Sequence, residues 1–188
     1  MNFLRRTIAT TDSSSRDAIA NALHELAPDV QRWCARHLGP RSDLEDAVQE
    51  ALIAVADALT RFRNESSMRT YAYRIVLRSA YRYRTQHREA QRSQQLHVAL
   101  DVDNMTPESL AMERESVRRL YAALDSLTEL RRNAFVLCAI EQMPHDEAAA
   151  IEDVSIDTLR ARLKHARSDL TEVLKRDPYL GSMWKETP

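Results

Sequence analysis

The sequence predicts an all-α protein of two small helical domains joined by a flexible linker, the C-terminal one containing a helix-turn-helix. Three observations predict it. Glycine occurs only 2 times in 188 residues, at Gly39 and Gly181, too seldom for strands joined by tight turns. Apolar residues recur with a helical period in two separate clusters. Between them lies "QRSQQLHVALDVDNMTPES", which keeps no period and reads as a linker of about twenty residues. The expected division is a flexible N-terminus over 1–15, a first domain over 16–92, a linker over 93–112, a second domain over 113–176 and a tail over 177–188.

Each element follows from local signals. Arg16 to Leu26 reads as a helix that Pro28 restarts or kinks, and Val30, Trp33, Cys34 and His37 continue its apolar face. Gly39 and Pro40 end it. A second helix runs from about Leu44 to Phe62. "RFRNESS" is a polar break, with Ser66 or Ser67 placed to cap a third helix over about Met68 to Arg88. The second cluster spans about Leu110 to Arg176. Within it Pro144 opens the short helix "HDEAAAIE", and "DVS" makes a tight turn. Asp153 stands there where a left-handed residue fits, and Ser155 caps the last helix. Two helices so joined make the helix-turn-helix pattern.

Composition excludes several classes. No apolar run approaches the ~20 residues that span a bilayer. The N-terminus has no apolar core long enough for a signal peptide. A cytoplasmic protein is expected, with Cys34 and Cys138 as free thiols. Cys34 and His37 share a helix face, but two ligands fall short of a closed metal site, and no metal or cofactor is expected. The formal net charge of −1 hides a partition. Ser42 to Thr60 and Glu141 to Asp153 each carry five acids and no Lys or Arg. Arg61 to Arg92 nets +7 and Arg160 to Arg176 nets +4. Blocks of opposite sign imply separate surfaces for separate partners.

Three helix faces carry the information. On the second helix Leu44, Val48, Ala51, Leu52, Val55, Leu59 and Phe62 form the packing side. Asp46, Gln49, Glu50, Ile53 and Asp57 share the opposite arc. Acids of one sign around an apolar knob suit docking onto a basic protein helix. The third helix contains "YAYRIVLRSAYRYR", Tyr71 to Arg84, with four of the six tyrosines. Met68, Ala72, Ile75, Val76, Ser79 and Tyr83 pack, with Tyr73 also in the core. Tyr71, Arg74, Arg78, Tyr81 and Arg82 form an outward stripe. Arg74, Arg78 and Arg82 stack at four-residue spacing, which is unfavourable without an anion. Phosphate supplies that anion, and the tyrosines offer planes for unstacked bases. On the last helix Ile156, Leu159, Leu163, Ala166 and Leu170 form the buried stripe. Asp157, Ala161, Lys164, His165 and Ser168 face away, flanked by Arg160 and Arg162, as a helix entering a major groove requires.

Together these segments resemble a bacterial sigma factor of the extracytoplasmic-function (ECF) group. "DLEDAVQEALIAVADALTRFRNESSMRTYAYRIVLRSAYRYR" is similar to the family's region 2, and "LDSLTELRRNAFVLCAIEQMPHDEAAAIEDVSIDTLRARLKHAR" to its region 4. The resemblance covers about residues 20 to 92 and 116 to 172. It implies a cytoplasmic, non-enzymatic protein that binds core RNA polymerase and promoter DNA, with an anti-sigma factor as a further partner. Asp46, Gln49 and Glu50, with Ile53 and Asp57 beside them, match the docking face for the polymerase β′ coiled coil. The β subunit is also implied, with the linker threading polymerase channels. Arg61, Phe62, Arg63, Asn64 and Ser67 match the loop that captures a flipped base of the −10 element. Tyr71, Arg74, Arg78, Tyr81 and Arg82 match the helix over the melting strand. Ser155, Asp157, Thr158, Arg160, Ala161, Arg162, Lys164 and His165 match the −35-reading helix.

The chain departs from the family pattern in places. Tyr71 stands where Trp is usual, and Arg78 where an amide is common. Asp153 replaces the turn glycine, Glu152 replaces an apolar residue, Ala148 thins the helix-turn-helix core, and Asp157 puts an acid near the start of the reading helix. Two other readings follow from the same residues. A plain helix-turn-helix regulator leaves the Asp46, Gln49, Glu50 face unexplained. A sigma-like interaction protein that does not start transcription is favoured by the altered turn at Asp153.

Overall fold

The computed structural model describes residues 3–87, 107–177 and 179 of the 188. Among them are seven α-helices and no strand. In chain order these are α1 (Phe3–Leu38), α2 (Leu44–Leu59), α3 (Met68–Gln86), α4 (Pro107–Leu124), α5 (Glu129–Phe135), α6 (His145–Glu152) and α7 (Ile156–Arg176). A π-helical turn, Val136–Ile140, continues α5. Residues 93–106 of the expected linker lie outside the described residues, as does the expected tail beyond Asp177 apart from Tyr179.

Three boundaries differ from expectation. α1 begins at Phe3, inside the segment expected to be flexible. It also continues through Pro28. Extending a formed helix fixes one residue per added bond, whereas nucleation must fix several at once, so a long α1 grows past weak helix formers. α4 begins at Pro107, inside the expected linker, because Pro is well placed in a first helical turn.

α1, α2 and α3 pack on one another around Val30, Trp33, Cys34, Ala51, Val55, Ala72 and Val76, all buried. Trp33 meets Tyr73 edge-on at 4.3 Å between ring centroids. α3 is capped by Ser67, whose hydroxyl accepts from the Thr70 amide at 3.0 Å. Tyr83 is buried, and its hydroxyl donates to the Asp43 carboxylate at 3.2 Å. Met68, in the first turn of α3, is 39% exposed and so only partly covered, rather than packed as expected.

The second half packs α4, α5 and α6 on α7. Leu159, Leu163, Ala166, Leu170 and Leu174 are its buried stripe, and Ile156, in the first turn, is 38% exposed rather than buried. The helix-turn-helix closes as expected, by a defined device. Asp153 lies at φ 56, ψ 48. The Val154 amide donates to Ala149 O at 3.0 Å and the Asp153 amide to Ala150 O at 3.4 Å, a Schellman end on α6. The Ser155 hydroxyl caps α7 on the Thr158 amide at 3.2 Å. Glu152 takes Asn133 of α5 at 3.1 Å and Arg162 of α7 at 3.0 Å, so an ion-pair network fills the place expected to be apolar. Burial holds the Glu152 carboxyl above its ordinary pKa. The altered turn is therefore well formed, and the reading that rested on its weakness loses its support.

The two halves share one core. Ala134, Leu137, Ala148, Ile151, Leu159 and Leu163 join the same buried cluster as Trp33, Val55 and Val76. At the junction His37 is buried, with Nε2 at 3.1 Å from the Tyr73 hydroxyl. Burial first, then the Arg132 and Arg84 guanidinium groups, lower its pKa to about 3. A neutral His37 in the fold and an ordinary one in the unfolded chain give a definite sign. Stability contributed by His37 is complete above pH ~6.5 and is lost as pH falls from there toward 3. Urea unfolding measured from pH 7 to pH 4 should show a falling midpoint. His37→Gln, which cannot take up a proton, should flatten that slope.

Candidate nucleic-acid interface

The acidic face of α2 stands open. Asp46 and Gln49 are exposed, and Ile53 is 71% exposed, the largest value among the exposed large apolar side chains described. The face is less purely acidic than its spacing suggested. Asp57 is bound by Arg61 one turn on. Glu50 is half-buried and lies 3.9 Å from Arg82 of α3. Acidic face and cationic stripe therefore meet along one edge, where Glu50 and Arg82 lower each other's local repulsion.

The stripe on α3 splits into open and engaged parts. Arg78, Tyr81 and Arg82 are exposed, Tyr81 by 42%. Beside them the loop offers exposed Arg61, Arg63, Asn64 and Ser67, with Asn64 in the left-handed region at φ 58. Tyr71 is not the free platform expected. Its ring lies against Phe62 at 5.0 Å, and its hydroxyl donates to Ala58 O at 3.3 Å. Phe62 and Tyr71 thus brace the loop against α3, because two half-buried rings bury more surface together than apart. Arg74 is also engaged. It donates to Ala150 O at 2.5 Å and lies 3.9 Å from the Asp153 carboxylate.

On α7 the expected reading face is outward. Ser155, Asp157, Thr158, Arg160, Ala161, Lys164 and His165 are exposed. Arg162 is the exception, drawn back onto Glu152. Asp157 lies 3.5 Å from Arg160 in its own first turn, so its charge is offset there. Sequence reasoning missed Arg132 and Tyr121. Arg132 is 2% exposed and donates to His37 O at 2.8 Å and to Asp125 at 3.0 Å. Burial lowers its pKa to about 10, which leaves it charged near neutrality. Nothing in the local spelling "ELRRNAF" marks the second arginine as buried.

Cys34 is a free, buried thiol with its pKa raised to about 12 by burial, and Cys138 is free and half-buried. Among the described residues no group of three His, Cys, Asp or Glu side chains is placed to hold a metal ion, and no helix is long and apolar enough to cross a membrane. What the open groups offer is cations for phosphate oxygens, rings for unstacked bases, and hydrogen-bond donors along a helix of groove-fitting width.

Two family models match the chain. Residues 23–90 match the model of sigma-70 region 2, and residues 117–170 that of sigma-70 region 4. The ECF RNA polymerase sigma-E factor of Escherichia coli strain K12 is 30% identical over 154 residues, 77% of this chain and 78% of that protein. The chain belongs to the ECF sigma factors. The sigma-E factor of Haemophilus influenzae is 28% identical, covering 68% of this chain and 72% of its own length. Two solved structures share the fold. The sigma factor RpoE of Bartonella quintana, in complex with the anti-sigma factor NepR, has a TM-score of 0.55 at 23% identity over 84% of this chain and 97% of its own. CnrH, in complex with the cytosolic domain of CnrY, has a TM-score of 0.56 at 24% identity over 87% of this chain and 98% of its own. As a sigma factor, the protein is a promoter-recognising transcription initiation factor.

The exposed edge of α3 gives a separable expectation. In titrations of this sigma factor with a single-stranded oligonucleotide, Arg78→Ala should lower the slope of log affinity against log salt by about one. Tyr81→Ala should weaken binding by about 1–3 kcal/mol with the slope unchanged.

Proposed function

We propose that the chain docks on core RNA polymerase through Asp46, Gln49, Glu50, Ile53 and Asp57, and opens promoter DNA with the neighbouring edge of α3. The observation that carries this reading is the adjacency of two unlike surfaces on one three-helix unit. One is an open acidic face around Ile53, the other an open edge of Arg78, Tyr81 and Arg82. Acids around an apolar knob suit a basic helix of the β′ coiled coil, where charge steers the encounter and the knob supplies contact area. The β subunit completes the polymerase contact. Arg61, Phe62, Arg63, Asn64 and Ser67 take a flipped base of the −10 element. Arg74, Arg78, Tyr81 and Arg82 hold the opened strand, with Tyr71 acting mainly as a brace. Ser155, Asp157, Thr158, Arg160, Ala161, Arg162, Lys164 and His165 read the −35 element in the major groove.

In this reading residues 16–92 form the core-docking and −10 module and 113–176 the −35 module, with the intervening chain threading the polymerase. The protein does no bond chemistry, needs no cofactor, and acts in the cytoplasm, where phosphodiester synthesis belongs to the polymerase. One structural neighbour is a sigma factor held by an anti-sigma factor, which supports a partner of that class here. Reconstituted transcription tests the reading. Core enzyme with this chain should make discrete transcripts from genomic DNA, and none at any promoter would contradict it. Asp46→Arg combined with Glu50→Arg should abolish co-purification with core while circular dichroism shows the helical fold retained, and undiminished co-purification would contradict the docking assignment.

A further inference from the structure

A helix that reads the major groove meets the base edges with its N-terminal residues, and in α7 that end carries an acid. Phosphate repels a carboxylate, so Asp157 is out of place on a surface that only grips the DNA backbone. Nor does it cap the helix, because the Ser155 hydroxyl already accepts from the Thr158 amide at 3.2 Å. Its side chain is 93% exposed and stands outside the Leu159, Leu163 stripe that holds α7 in the core. The contact it makes is with Arg160, also exposed and one turn on, at 3.5 Å. That is a long approach for a hydrogen bond, and an exposed ion pair of this kind adds little to stability. Both groups stay available to a partner. Arg162 is drawn onto Glu152 at 3.0 Å, which leaves Asp157 and Arg160 as the open charged pair at the entering end of the helix.

We propose that Asp157 specifies a cytosine in the −35 element by accepting a hydrogen bond from its amine, with Arg160 on a guanine in the same or the next base pair. This rests on the −35 role of α7 proposed above. An ionised carboxylate only accepts hydrogen bonds and a guanidinium only donates them. The major-groove edge offers donors at cytosine N4 and adenine N6 alone. Adenine sets its N7 acceptor beside that amine, which an amide matches and a carboxylate does not, so cytosine is the fit. Guanine O6 and N7 accept both arms of an arginine. Residues three apart on a helix hold their Cβ atoms about 5–6 Å apart. Two base edges in one pair, or in pairs stacked about 3.4 Å apart, lie within reach of such a couple. The reading is also exclusive. Guanine or thymine in place of the cytosine turns an acceptor toward the carboxylate, and a carboxylate buried in the groove without a donor is costly. The acid therefore lowers affinity for most sequences and sharpens discrimination among them.

Selection by reconstituted holoenzyme from a duplex library randomised across the −35 element tests the assignment. Wild type should enrich cytosine at one position that depends on residue 157. Asp157→Asn keeps the size of the side chain but presents an amide, which pairs with adenine N6 and N7, so that position alone should turn from cytosine to adenine. Asp157→Ala should lose the preference there and keep it elsewhere. In the selected duplex, exchanging that cytosine for pyrimidin-2-one, which lacks only the amine, should weaken wild-type binding about tenfold and leave Asp157→Ala unaffected. A base profile identical in wild type and both variants would overturn the cytosine contact while leaving the −35 reading in place, as for a carboxylate that serves only the helix dipole. A uniform gain in affinity of Asp157→Ala for every duplex, with the profile unmoved, would reduce Asp157 to phosphate repulsion and overturn the contact as well. A flat profile in wild type would overturn the −35 reading itself, and the contact with it.

Discussion

The arrangement depends on one buried charge. Arg132 carries its guanidinium into the junction between the halves, 2% exposed, and holds the His37 carbonyl and the Asp125 carboxylate there. A buried cation is tolerable only while its donors are matched, and removing a partner strands the charge at a cost of about 3–5 kcal/mol. The halves are therefore registered against each other by polar geometry as well as by the apolar core they share. His37, between Arg132, Arg84 and the Tyr73 hydroxyl, is forced neutral by the same burial and the same positive charge. Trp33 and Tyr73 fix the α1–α3 contact behind it.

Polar substitution is a recurrent device in this chain. The helix-turn-helix does without its glycine because Asp153 accepts the left-handed conformation, which short polar side chains visit more readily than others. It does without an apolar residue at 152 because Glu152 is paired on both sides. Ala148 and Ala149 are buried, so α6 packs close to its neighbours. At these positions polar pairing stands in for apolar contact, so losing one partner would leave the other buried and unmatched.

Much of this was legible in the sequence, for identifiable reasons. The faces of α2, α3 and α7 follow from a 3.6-residue period, and Ser67, Asp153 and Ser155 from the chemistry of caps and left-handed turns. Burial of Val30, Trp33, Cys34, His37, Tyr73 and Tyr83 followed the same period. What escaped depends on contacts distant in the chain. Arg132 and an exposed helical arginine have the same local neighbours. Arg74 looks like Arg78 until α6 is laid against it, and Tyr71 looks like Tyr81 until Phe62 turns back onto its ring. Met68 and Ile156 fit the apolar period but sit in first turns, where they are only partly covered. The joining of two expected domains into one core had no local signature at all.

The central claim is that two DNA-facing surfaces of one chain act on the same promoter. A hydroxyl-radical footprint of reconstituted holoenzyme, paired with permanganate mapping of unpaired thymines, tests it most directly. The account predicts two protected tracts about two and a half duplex turns apart, with reactive thymines in the downstream one. A single short tract with no unpaired thymine, as one helix-turn-helix alone would leave, would contradict it.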